Sequence, residues 1–101
     1  MDIADVARIA LALDGVRESS AGRRPRWTLG GRVVARQLDE HSVVVRSAFA
    51  DRERLVRAHP ETFHVPPRFD AHMMVAVRLA DADPAVVADA IRAAWVLQAN
   101  H

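Results

Sequence analysis

The sequence predicts a two-layer α+β domain in which helices flank an antiparallel sheet. Three observations lead there. Apolar residues recur at helical steps of three and four near both ends, at Ile3, Val6, Ala10 and Leu13 and again at Val87, Ala90, Ile91, Ala94 and Leu97. Short β-prone runs follow one another in the middle, separated by turn residues such as Gly30-Gly31. A helical segment between the third and fourth of these runs gives the order α-β-β-β-α-β-β-α, and successive strands with flanking helices pack as two layers.

The first helix is expected from about Asp2 to Leu13. Asp2 caps it, and Asp5 places a carboxylate in the first turn, where the helix dipole favours negative charge. Ile9 widens the apolar stripe, and Asp14-Gly15 ends it. Residues 17 to 24, RESSAGRR, carry no apolar period and predict a mobile loop. Arg26 to Leu29 alternates, with Trp27 and Leu29 on one face. Gly30-Gly31 is a two-residue hairpin signal, and Arg32 to Leu38 is the returning strand. After a polar turn at Asp39-Glu40-His41, the run Val43-Val44-Val45 marks a third strand over Ser42 to Ser47. A short helix over Asp51 to His59 is anchored by Leu55 and stopped by Pro60. Thr62 to Pro66 alternates weakly, as a short strand before Pro66-Pro67. From His72 to Leu79 the pattern is clearer: Met73, Val75, Val77 and Leu79 point one way, and His72, Met74, Ala76 and Arg78 the other. Asp83-Pro84 caps and opens the last helix, which continues to about Ala99. No repeat or linker divides the chain, so residues 1–101 are expected to form one domain.

A chain of this length buries roughly two-thirds of its unfolded surface, enough for a core without disulfides or metal. Hydrophobic content of 50% and charged content of 27% are those of a globular protein rather than a disordered one. Cysteine, lysine and tyrosine are absent, and all 14 basic residues are arginines. Thiolate and Schiff-base chemistry are thereby excluded. Every basic side chain is a permanently charged planar fork suited to carboxylate or phosphate. The start of the chain is acidic at Asp2 and Asp5, unlike a secretory signal, and no apolar run reaches the ~20 residues of a membrane helix. The expected location is the cytoplasm. Ser19-Ser20 lack a nucleophile elbow. Asp81 and Asp83 suit a turn and a cap rather than an acid–base pair. His41, His59, His64, His72 and His101 show no metal-ligand spacing. Trp27 and Trp95 read as core anchors. No catalysis, metal or cofactor is expected.

Several segments, in order and at matching spacing, resemble the MmcQ/YjbR-like family. They are Leu13-Asp14-Gly15-Val16-Arg17-Glu18, Pro25-Arg26-Trp27-Thr28-Leu29-Gly30-Gly31-Arg32-Val33-Val34-Ala35, His59-Pro60-Glu61-Thr62-Phe63, Val75-Ala76-Val77-Arg78-Leu79, and then Ile91 and Ala94-Trp95. The resemblance covers nearly the whole chain. It implies a secretion-chaperone-like fold of the same element order, and the DNA-binding role, through a double-wing surface, with which members are labelled. The chain departs from the family pattern at Asp14, where proline is usual, at Ala21, where a tryptophan–glycine pair is usual, and at Arg32, where lysine is typical.

Charge is concentrated in the segment that carries much of this resemblance. Residues 17 to 36 hold six arginines against one glutamate, a local charge of +5 in a chain of net charge +1. An arginine-rich loop and hairpin can hold phosphates by bidentate contacts. Arg23, Arg24, Arg26, Arg32 and Arg36 are therefore the expected nucleic-acid contacts, and double-stranded DNA the expected partner. The alternative is a non-enzymatic protein-interaction or chaperone-like module. If helices cover one sheet face, Arg26 and Arg78, with Arg36 and Arg46 where register allows, share the other with Thr28 and Met74. Such a face suits an anionic protein partner or a homodimer. A third reading is a small-molecule anion binder. Against all three, a solvated charged loop needs no ligand, and antiparallel sheets tolerate solvent-facing arginines.

Overall fold

The computed structural model describes residues 1–20 and 23–100. Ala21, Gly22 and His101 lie outside the described residues, and with them the middle of the expected 17–24 loop. Among the described residues the elements are α1 (Ile3–Leu11), β1 (Val16–Ser19), β2 (Arg26–Leu29), β3 (Arg32–Asp39), β4 (Ser42–Arg46), α2 (Phe49–Ala58), β5 (Phe63–His64), a 3-10 turn (Pro67–Phe69), β6 (Met74–Arg78) and α3 (Pro84–Ala99). The strands form one antiparallel sheet in the order β1-β2-β3-β4-β6-β5. The α+β class and the succession of helices and strands are those the sequence predicts, with one strand more.

That strand is β1, where the sequence predicts loop. Only Val16 of its four residues is buried, so no apolar alternation marks it. It forms because β2 offers an unpaired edge, and Val16, Arg17, Glu18 and Ser19 pair with Leu29, Thr28, Trp27 and Arg26. Backbone hydrogen bonding, not side-chain burial, makes it a strand.

Other local signals act as expected, except that α1 ends at Leu11 with Ala12 as its C-cap, ahead of Asp14-Gly15, and α2 begins at Phe49 rather than Asp51. At the start of α1, Asp2 and Asp5 each accept the other's backbone N–H at 2.9 Å, a reciprocal cap. The N–H of Asp2, with Arg8 beyond it, lowers the Asp5 carboxyl to about 2. Gly30 and Gly31 have φ of 57° and 82°, the positive values a two-residue hairpin turn requires. Gly15, between α1 and β1, has φ of 79°, and a Cβ there would stand 3.0 Å from Leu29 Cδ1. Gly15→Ala is expected to lose about 1–2 kcal/mol of stability through the left-handed backbone alone. A urea titration that finds no loss would show the turn relaxes to another conformation.

All three helices pack on one face of the sheet. Val6 and Ala10 from α1 and Val87, Ala90, Ile91 and Ala94 from α3 meet Trp27, Ala35, Val43, Val45, Phe63, Val75 and Val77 from the strands. Leu55 and Val56 of α2 pack against the edge of this cluster. On α3 the buried stripe ends at Gln98 rather than the expected Leu97, which is only half-buried. Gln98 Nε2 donates to the carbonyl of Val33 at 2.7 Å, beside the point where Val34 drops out of the β2–β3 pairing. A buried amide there satisfies a carbonyl that a leucine would leave unpaired. Among the described residues no helix is long and apolar enough to cross a membrane.

Candidate nucleic-acid interface

The strand register decides which arginines meet. Across the face away from the helices, Ser19 lies opposite Arg26, Arg26 opposite Arg36, and Arg36 opposite Val44. The row continues through Ala76 to His64. Side chains alternate along each strand, so Arg46 and Arg78 lie on this face too, opposite Met74 and Ser42. Arg26, Arg36, Arg46 and Arg78 thus share one face, with Thr28 and Met74. It is not open across its width: Val44 and Ala76 are fully buried, and the β5–β6 connection brings the buried Phe69 against Arg36.

One end of the face is a cleft of about 620 Å³ lined by Ser19, Ser20, Arg23, Arg24, Arg26, Arg36, Gln37 and Leu38. Three strands and the segment before β2 build it. Leu38 is the extra residue of a bulge in β3, left out of the pairing with β4. Its free carbonyl accepts Arg24 Nη1 at 3.1 Å, and Gln37 N–H donates to the carbonyl of Pro25 at 2.9 Å. These bonds hold the approach to β2 against β3, so that Arg23, Arg24, Arg26 and Arg36 converge. Four of the five arginines expected from the sequence are therefore together. Arg32 is not with them: it pairs with Leu29 at the hairpin end, about 10 Å along the strand at ~3.3 Å per residue.

No described carboxylate neutralises the cleft. Glu18, the single acid of the segment, pairs with Trp27 in the ladder and accepts its Nε1–H at 2.8 Å, on the helix side of the sheet. Arg8, Arg54 and Arg57 pair with Asp5, Asp51 and Glu53 on their own helices. Among the described residues, none of the cleft arginines has a carboxylate within 4.0 Å. Like charges set directly across a strand pair repel. At Arg36, partial burial and then the charges of Arg68 and Arg26 push the pKa below the usual arginine value. The guanidinium stays charged at any ordinary pH.

Two residues that the sequence reading missed support this end of the sheet. Arg68, on the 3-10 turn, lies 4.7 Å from the centroid of Phe69, the ring that Arg36 approaches at 5.6 Å. Arg52 of α2 fixes that turn. Its Nη1 donates to the carbonyls of Phe69, His72 and Met74 at 3.1, 2.7 and 3.3 Å, and its Nη2 to Asp70 at 3.1 Å. Neither role has a sequence signal. Ser19 and Ser20, unsuited to nucleophilic catalysis by their sequence context, line the cleft.

The far end of the row is different. Among the described residues, His64 Nδ1 and, elsewhere on the same face, Arg46 Nε are buried without hydrogen-bond partners. Burial, then Arg78, lowers the His64 pKa below the usual 6.5, and Asp39 offsets this in part. The folded protein therefore favours neutral His64, and the unfolded chain takes up the proton first. The stability this represents is present above pH ~6.5 and declines as pH falls below it. His64→Gln is expected to flatten the decline in urea midpoint between about pH 7 and pH 5. An unchanged pH profile would remove His64 as its source. Asp39, lowered from 3.8 mainly by the Ser42 hydroxyl, and Asp5 act only at more acidic pH.

Compared with protein-family models, with curated proteins and with solved structures, the chain matches none of them.

Proposed function

We propose that the protein binds nucleic acid, with double-stranded DNA as the first candidate, through its arginine cleft and without catalysis. The observation that carries this reading is the convergence of Arg23, Arg24, Arg26 and Arg36 on one cleft that no described carboxylate neutralises. Guanidinium forks bind phosphate oxygens in pairs, and such contacts position a protein on a backbone without reading bases. The sequence resemblance to the MmcQ/YjbR-like family points the same way, and a cytoplasmic location would give access to DNA.

Fluorescence anisotropy with labelled duplex, titrated from low to physiological salt, tests the proposal. The double variant Arg26→Gln/Arg36→Gln is expected to weaken binding at least tenfold and to reduce the salt slope by about 0.9 for each phosphate it no longer neutralises. Arg32→Gln is expected to change little. Wild-type affinity and slope in the double variant would sink the assignment.

A second reading is favoured by the strand register. Arg26, Arg36 and Arg78 on one face suit an acidic surface, on another protein or on a second copy of the chain. Light scattering across a concentration series separates the cases: a monomer throughout removes the self-association contact.

A further inference from the structure

The cleft concentrates charge at a point rather than along a track, and this bears on which phosphate it takes. Arg26 and Arg36 face the same side from directly opposed positions on adjacent strands. Arg23 and Arg24 enter the same cleft from the segment before β2. Arg68 flanks Arg36, the two guanidiniums sharing the Phe69 ring. Arg32, which would extend a track along the hairpin, is at its opposite end. The cleft, about 620 Å³, falls in the size range of small-ligand sites.

An internal phosphodiester offers one negative charge and two free oxygens. A terminal phosphomonoester offers nearly two charges and three oxygens. The second matches a set of convergent forks whose mutual repulsion nothing described in the chain relieves. The Ser19 and Ser20 hydroxyls supply further donors on the cleft wall.

We propose that this cleft is a terminal-phosphate site, taking a dianionic phosphomonoester between Arg26 and Arg36 with Arg23 and Arg24 at its mouth. The inference rests on the reading of the cleft as a nucleic-acid site and names the group it holds. Two sources carry that chemistry: the 5′-phosphate end of a strand and a free nucleoside monophosphate.

The experiment compares one short oligonucleotide, labelled at its 3′ end and carrying either a 5′-phosphate or a 5′-hydroxyl, at physiological salt. Adenosine 5′-monophosphate and adenosine serve as competitors. The 5′-phosphate is expected to tighten binding about tenfold or more, the worth of one additional charge-assisted contact. Arg36→Gln should abolish the difference. Arg68→Gln, at an exposed position whose loss leaves the core intact, should reduce it, and Arg32→Gln should leave it unchanged. Competition by the monophosphate but not by adenosine supports the site and admits the free nucleotide as its occupant. A preference for the 5′-phosphate without such competition supports the site and assigns it to strand ends. Equal affinity for the two oligonucleotides overturns the terminal-phosphate site while leaving backbone binding in place. If neither oligonucleotide binds but the monophosphate stabilises the protein in a thermal melt, the nucleic-acid reading fails and the phosphomonoester site stands. A null result with every probe overturns both.

Discussion

Arg52→Ala is expected to cost about 3 kcal/mol of stability, since it removes four charge-assisted bonds to main-chain carbonyls at a half-exposed position. Small domains are stable by roughly 5–15 kcal/mol, so this is a large fraction of the total. The effect should extend to the cleft. The carbonyls of Phe69, Asp70, His72 and Met74 belong to the connection that carries Arg68 and Phe69, and freeing it removes the ring from beside Arg36. Arg52→Lys should rescue little, because a single ammonium cannot reproduce the planar fork that spans these carbonyls. Urea denaturation reads the first effect, and anisotropy on the folded variant the second. A variant as stable as the wild type would show that other contacts hold the connection.

Trp27→Ala is expected to be at least as damaging, at about 3–5 kcal/mol. Trp27 is fully buried and sits on the helix side of β2, in the cluster that α1 and α3 share with the sheet. Its loss opens a cavity that the surrounding valines fill only in part. It also strips Glu18 of the indole N–H, which leaves the edge strand β1 with one tie fewer. Trp27→Phe separates the two contributions: it keeps much of the packing and removes the hydrogen bond. Chemical denaturation of both variants checks the ranking, and an alanine variant within about 1 kcal/mol of wild type would contradict the placement of Trp27 in the core.

The two variants act on opposite faces of the same sheet, and that division helps in reading a binding experiment. Trp27 tests the core beneath β2; Arg52 tests the connection over the other face. A binding loss in a folded Arg52 variant, with no loss in Arg32→Gln, would trace the effect to the arrangement around Arg36 rather than to total positive charge.

What was legible in the sequence is what short-range physics decides. The Asp2 and Asp83 caps, the Pro84 start of α3 and the Gly30-Gly31 turn each depend on neighbouring backbone, and each is where its residues indicate. Val75, Val77 and Leu79 are in the core as their alternation indicates, although Ala76 between them is buried as well, on the other face of the sheet. The concentration of arginine between residues 17 and 36 was equally plain. What the tertiary structure alone decided depends on partners distant along the chain. β1 is a strand because β2 presents a free edge, which no pattern within Val16–Ser19 reveals. Arg26 and Arg36 face each other, and Arg32 does not join them, because the hairpin register and the bulges in β3 set who stands opposite whom. Arg68 reaches the neighbourhood of Arg36 only through the β5–β6 connection, which Arg52 holds from a separate helix. Composition determined how much charge this protein carries and on which segment. Register and long-range hydrogen bonds determined where it converges, because electrostatic repulsion and phosphate recognition depend on distances across strands rather than along the chain.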